Sequence, residues 1–291
     1  MFIAAIAATM ITACSKDEEV INNNSVAHGE TTKATIQFVP YNMTPMKATH
    51  YVSEYCTRLD IWIKDLTDTT IAPIEFHNTM AGTTTSGTPA EATVNFDVNT
   101  SHTYEVVAVA HRCTSAASIV NGIVQFPNDK VSHSFFIRDT AFIPEYETNK
   151  TYQMKRIVGQ FRIEIQDDIP DDVTQFDFLV DSSYCRWNIF TNSPVQKIQN
   201  DVLYTSFNTT STGGANFTVT IMADSDSTNT MVDIAIKALT AANAVYDEHT
   251  ITDVPIRNGY VTTYSGTFFR NFNLGLSFMC EDWGDNGHFT F

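Results

Sequence analysis

Short runs of β-branched and aromatic residues recur from residue 34 to the end of the chain, and almost nothing between them carries helical spacing. Successive side chains of a strand point to opposite faces, so a period of two gives one buried face and one wet face. Residues 157–165 display this plainly: Ile157, Gly159, Phe161, Ile163 and Ile165 share one face, and Val158, Gln160, Arg162 and Glu164 share the other. Further strands are expected at 34–39, 59–64, 92–98, 104–111, 122–126 and 131–137. A second set is expected at 175–180, 217–222, 231–238, 245–251, 260–268, 273–279 and 287–291. Turn-forming clusters separate these runs, and residues 79–90, which contain no core pattern, read as an exposed loop. Parallel strands need long crossovers, usually helical, and no helical segments alternate with the runs. The fold class expected is therefore all-β, with antiparallel sheets in Greek-key β-sandwiches. The 40 threonines and the low charged fraction of 17% suit half-buried sheet surfaces rather than salt-bridged helices. A length of 291 residues accommodates two sandwiches in series. Pro144 and the polar stretch Glu147–Thr151 place the boundary near 149–151, giving an N-terminal unit at 33–150 and a C-terminal unit at 151–291.

Residues 1–13 form an uninterrupted apolar run, shorter than the roughly 20 residues that span a bilayer. It reads as a signal-peptide core. Thr12 and Ala13 precede Cys14, the pattern a lipoprotein signal peptidase requires once diacylglycerol is attached to the thiol. Cys14 is thus the expected lipidation site, the alternative being an ordinary cleaved signal with an incidental cysteine. The acidic patch Ser15–Glu19 resembles the export tag of surface lipoproteins in Bacteroides-type bacteria, which points to the outer membrane and cell surface. Residues 14–32 then form a flexible tether. In an export compartment Cys56, Cys113, Cys185 and Cys280 could pair. Linking Cys56 to Cys113 and Cys185 to Cys280 respects the expected boundary, but three connectivities are possible and buried free thiols are an equal alternative.

The chemistry that the sequence excludes is broad. A net charge of −16 repels nucleic acid over most of the surface. No HExxH, GxSxG, GxxxxGK[ST] or GxGxxG is present, and the eight histidines include no pair at i, i+4. No catalytic residue, metal site or cofactor is expected. The acidic clusters at 167–172 and 224–229 lack the glycine and distal glutamate of an EF-hand and read as turns capped by side chains. Among the three tryptophans, Trp62 lies within an apolar strand, Trp187 follows Tyr184-Cys185-Arg186, and Trp283 sits in an acidic stretch. Only Trp283 is an expected exposed platform for a sugar, which keeps a surface carbohydrate-binding lipoprotein as the second reading.

Four features resemble the fimbrillin-type (type V pilus) subunits, and among them FimB-like minor or anchor fimbrial lipoproteins. They are Cys14 with its acidic tail, the strand at 33–38 soon after the tether, the segment 152–170 (YQMKRIVGQFRIEIQDDIP) as opener of the second domain, and the late segment 254–269 (VPIRNGYVTTYSGTFF). The resemblance implies two transthyretin-like sandwiches and assembly with other pilus subunits by strand donation. It makes 34–39 the donor or plug strand, with Ile36 and Phe38 as groove plugs, and Lys47 the protease-processing site in place of the family's arginine. An anchor subunit would keep Cys14 and its lipid in the outer membrane.

Overall fold

A computed structural model describes residues 30–41, 52–80, 92–206, 214–224 and 227–279. Cys14, Lys47, Cys280, Trp283 and the expected terminal strand at 287–291 lie outside them. The described chain is all-β, as the periodicity requires. In its first half the strands are β1 (Thr31–Pro40), β2 (Arg58–Asp65), β3 (Ile74–Thr79), β4 (Thr93–Asn99), β5 (Tyr104–His111), β6 (Ser118–Val120), β7 (Ile123–Gln125), β8 (Ser134–Phe142) and β9 (Asn149–Arg156). The second half holds β10 (Gly159–Ile165), β11 (Val173–Asn188), β12 (Ser193–Ser206), β13 (Ala215–Ile221), β14 (Thr230–Thr240), β15 (Val245–Ile256), β16 (Val261–Thr267) and β17 (Asn273–Met279).

One seven-stranded sheet runs in the order β3-β2-β5-β8-β9-β1-β4. Its link between β8 and β9 is only two residue pairs long, Phe135 with Arg156 and Phe136 with Lys155. The sheet folds back on itself about this narrow link. Ala34, Ile36 and Phe38 of β1 and Val94, Phe96 and Val98 of β4 thereby share a core with Leu59, Ile61 and Ile63 of β2 and Val106, Ala108 and Ala110 of β5. In the second half a four-stranded sheet, β13-β10-β16-β17, faces a second sheet built on β15-β14-β11. Phe161, Ile163, Phe217 and Tyr264 from one meet Phe176, Phe178, Ile234 and Ile236 from the other.

The expected boundary at 149–151 falls inside β9. Tyr152 and Met154 are buried in the first core, and β9 pairs in parallel with β1 from Thr35–Asn149 to Pro40–Met154. The strand that opens the second half is β10, which begins at Gly159. β9 buries just these two side chains between exposed polar ones, so its alternation is too sparse to stand out from a polar connector. A second exception is the β6–β7 hairpin, which lies within the expected first unit but adds to the second half's sheet: Ile123–Gln125 pair with Arg186–Asn188 of β11. Asn121 and Gly122 make its turn with φ of 52° and 76°, both left-handed, as a two-residue type I′ hairpin demands. A third core holds the halves together, with Trp62, Val107, Val109 and Phe136 packed against Trp187, Ile189, Met222 and Val261. Arg186 adds a two-point ion pair to Asp129, 2.9 Å and 3.2 Å.

Candidate functional site: the first strand and its two partners

β1 alternates as the sequence reading expected: Ala34, Ile36 and Phe38 have no exposure, while Thr35, Gln37 and Val39 on the other face are half-buried. Its position in the sheet is unusual for a strand at the start of a domain. It lies between two neighbours, antiparallel to β4 from Thr31–Asn99 to Gln37–Thr93 and parallel to β9. Among the described residues β4 has no other strand partner. Removing β1 would leave β4 detached and β9 with an open edge of unpaired N–H and C=O groups. The vacated space would be an apolar slot shaped by one isoleucine and one phenylalanine.

Side chains and backbone fix the strand in register. Thr35 N–H donates to Thr148 O at 2.7 Å, Tyr41 N–H to Met154 O at 2.8 Å, and Thr100 N–H to Glu30 O at 3.0 Å. Thr35 Oγ1 donates to Asn95 Oδ1 at 2.7 Å. Phe38 stacks on Tyr152 with ring centres 5.9 Å apart and planes inclined by 26°. The Tyr152 hydroxyl and Lys150 Nζ both donate to Asp139 Oδ2, at 2.7 and 2.9 Å. Burial alone would raise the Asp139 carboxyl, but the donors Lys150, Tyr152 and the Ala141 N–H hold it below the usual range. Burial and the same carboxylate push the Tyr152 phenol well up, so it stays a donor. Burying Ile36 and Phe38 contributes about 1.5–3 kcal/mol each, to which the two ladders add.

Two of the histidines that the sequence scatters, His77 and His111, meet on Asp60, and the arrangement is structural. Asp60, fully buried, accepts from His111 Nε2 at 2.7 Å, His77 Nδ1 at 2.8 Å and the Ala117 N–H at 2.8 Å. His111 Nδ1 accepts from the Cys113 N–H at 3.1 Å, which puts the ring proton on Nε2. Burial would raise the Asp60 carboxyl, yet these hydrogen bonds hold it below the usual range. The cluster binds β2, β3 and β5 to the segment before β6. Sequence reading missed it because Asp60 and Ala117 are 57 residues apart.

The described cysteines are free thiols. Cys56 and Cys113 do not pair: Cys56 Sγ faces His133 O at 3.6 Å, and Cys113 Sγ faces Lys130 O at 3.4 Å. Burial pushes the Cys56 thiol up to about 12, which makes it inert. The Cys185 thiol donates to Gln196 O at 3.2 Å. In the second acidic cluster Asp224 Oδ2 accepts from Thr230 Oγ1 at 3.2 Å, and in the first Asp167 serves backbone at longer range than a local turn. Its Oδ1 accepts from Phe268 N–H at 2.8 Å and its Oδ2 from Phe269 and Arg270 N–H at 2.7 and 2.9 Å. Among the described residues no three His, Cys, Asp or Glu side chains are grouped to hold a metal. Trp62 is a core residue, as expected, and so is Trp187.

No protein-family model matches the sequence, and neither does any curated protein sequence. Solved structures do match. A candidate cell adhesion protein from Bacteroides ovatus superposes with a TM-score of 0.51 at 10% identity, covering 86% of this chain and 96% of that one. The chain shares that protein's fold. Weaker likenesses include the tip fimbrial protein Mfa3 from Porphyromonas gingivalis, with a TM-score of 0.43, 10% identity and coverage of 86% and 99%. The fimbrial anchor protein Mfa2 from the same organism gives 0.39, 9%, 80% and 90%.

Proposed function

We propose that the chain is a structural subunit of a cell-surface fimbria, assembled by exchange of the strand at the β1 position and held to the outer membrane through lipid on Cys14. The observation that carries this reading is the placement of β1 between β9 and β4. A donated segment from a neighbouring subunit could satisfy both ladders and fill the slot with two apolar side chains, which is β-augmentation with an internal rather than an edge strand. In this reading the first two cores are tandem transthyretin-like sandwiches, Ile36 and Phe38 are the plugs, and Lys47 is the position at which a protease would release β1. An anchor keeps β1 and its lipid; a stalk subunit loses both. The fold shared with the Bacteroides adhesin is consistent with a surface role, and no part of the reading needs an enzyme, a cofactor or nucleic acid.

Mass spectrometry of the N-terminus of protein taken from the cell surface tests it, together with gels run with and without boiling. An acylated Cys14 and heat-labile high-mass ladders are expected for an anchor, and a chain starting at Ala48 with the same ladders for a stalk. A protein that is monomeric in both gels overturns assembly and leaves a surface lipoprotein that does not polymerise.

A further inference from the structure

The end of the second half that points away from the first carries a group of rings that the strand-exchange reading does not use. β16 leaves the third core at Val261 and ends at Thr267, and the turn that joins it to β17 holds Phe268, Phe269 and Phe272. The start of β15 lies beside this turn and brings Tyr246 and His249 against it. We propose that this end of the molecule binds a neutral saccharide, with Phe272 and Tyr246 as its stacking surfaces.

Three observations support that ligand class. The first is an open ring face. Phe272 and His249 stack with centres 4.0 Å apart and planes inclined by 10°. Phe268 stands upright against both, 4.8 Å from His249 and 6.0 Å from Phe272. Those three distances put Phe268 beside His249 at the edge of the stack, so Phe272 is its outer leaf. No further ring or guanidinium among the described residues covers Phe272, which is 37% exposed. Tyr246 is 48% exposed and meets Phe269 edge to face at 6.1 Å. The C–H groups of a pyranose are positively polarised and pack on such electron-rich faces, and aromatic surface left open on a soluble fold marks a binding site. The second observation is preorganisation. Asp167 holds the N–H groups of Phe268, Phe269 and Arg270, and Thr267 Oγ1 donates to Asn271 O at 2.8 Å. The turn is fixed before a ligand arrives, so little ordering is lost on binding. The third is charge. The basic side chains of β14, β15 and this turn each face an acid: Lys237 Nζ to Glu248 at 3.2 Å, His249 Nε2 to Asp247 at 3.3 Å, and Arg270 to Asp168 at 3.6 Å. With its cations matched in this way and a net charge of −16 on the protein, the site favours a neutral ligand over an acidic one. The polar groups without a partner among the described residues are the Tyr246 hydroxyl and the side-chain amides of Asn271 and Asn273, which both donate to and accept from sugar hydroxyls.

Saturation-transfer NMR and calorimetry on the full-length chain test this, and because the site is remote from β1 the outcome is independent of strand exchange. The probes are the neutral trisaccharides cellotriose and galactotriose and the acidic trigalacturonate. At least one neutral probe is expected to saturate one site with a Kd of about 1 mM or tighter, with transfer strongest to the C–H protons of one pyranose face. Trigalacturonate should bind at least about threefold more weakly. Phe272→Ala and Tyr246→Ala should each weaken the neutral probe about fivefold or more, Phe272→Trp, which keeps a π-face there, should retain it, and Phe190→Ala, an exposed ring elsewhere, should leave it unchanged. If Phe272→Ala lowers the unfolding midpoint, Tyr246→Ala carries the test. No transfer to either neutral probe, tighter binding of trigalacturonate, or unchanged affinity in both alanine variants overturns the proposal. So does a concentration-dependent dimer in sedimentation that both alanine variants abolish, since the rings would then serve contact between copies.

Discussion

Phe38 and Tyr152 stack across the parallel pair β1–β9 with ring centres 5.9 Å apart, joining the first strand of the sheet to one that arrives more than a hundred residues later. Tyr152 is in turn held by Asp139 and its neighbour Lys150. The grip on β1 is therefore aromatic at its surface and ionic behind it.

Phe38→Ala is expected to lower stability by about 3–5 kcal/mol, the range for truncating a fully buried phenylalanine. Gln37→Ala, on the half-buried opposite face, should change it by less than about 1 kcal/mol. Urea unfolding midpoints at a constant slope decide between them, and similar losses for both would mean that β1 is not packed as described.

Stability should fall on both sides of neutrality, with separate histidines responsible. His133 is held well below its ordinary value of 6.5 by burial, then by Arg156 and Arg112. It resists protonation in the folded state, so its stabilisation is complete above about pH 6.5 and is lost as the pH falls. For His111, burial lowers the value, but the interactions with Asp60 and Cys113 together outweigh it and raise it above 6.5. Its contribution is complete below 6.5 and is lost as the pH rises through the folded value. Below about pH 4 the depressed carboxyls of Asp60, Asp139 and Asp167 protonate in the unfolded chain first and stability drops further. Thermal melts of His133→Gln should flatten the slope between pH 4 and 6.5, and those of His111→Gln the slope above it; an unchanged profile in either variant rejects that assignment.

Asp167→Ala removes the acceptor of three backbone N–H groups at 268–270. Hydrogen bonds to a charged group are worth about 1.5–3 kcal/mol each, and water entering the space left by the carboxylate can replace part of that, so a net loss of about 3 kcal/mol is expected. Faster amide exchange at Phe268, Phe269 and Arg270 should accompany it. Asp167→Asn should restore part of the protection because one carbonyl oxygen remains.

Gly122→Ala should be costly for two reasons. Its φ of 76° is left-handed, worth about 1–2 kcal/mol against a residue with a Cβ, and that Cβ meets the Phe190 ring. The Ile189 N–H, which donates to Gly122 O at 2.9 Å, reports the damage: its exchange should quicken while that of β14 stays slow.

Much of the fold was legible because local alternation encodes it. Strands such as β1 and β4 bury every second side chain, and the sequence run predicts each; in β10 the alternation holds only from Phe161 on, since Val158 and Gln160 of the expected wet face are buried as well. What escaped was long-range. β9 buries two residues and declares itself only by pairing with β1. The hairpin at 118–125 has a recognisable Asn-Gly turn, but nothing local says that its partner is β11. The Asp60 cluster draws on positions far apart in the chain, and no spacing rule collects them. The cysteines left bridges and free thiols both open, and the described ones follow the second: carbonyl oxygens at 130 and 133 are what the Cys113 and Cys56 thiols face.

The double pairing of β1 has a mechanical side. Ladder hydrogen bonds run across a strand, so tension along Thr31–Pro40 would strain all of them on both flanks at once instead of peeling them one by one. A load applied at the amino end of this strand would thus act along the most resistant direction that a sheet offers.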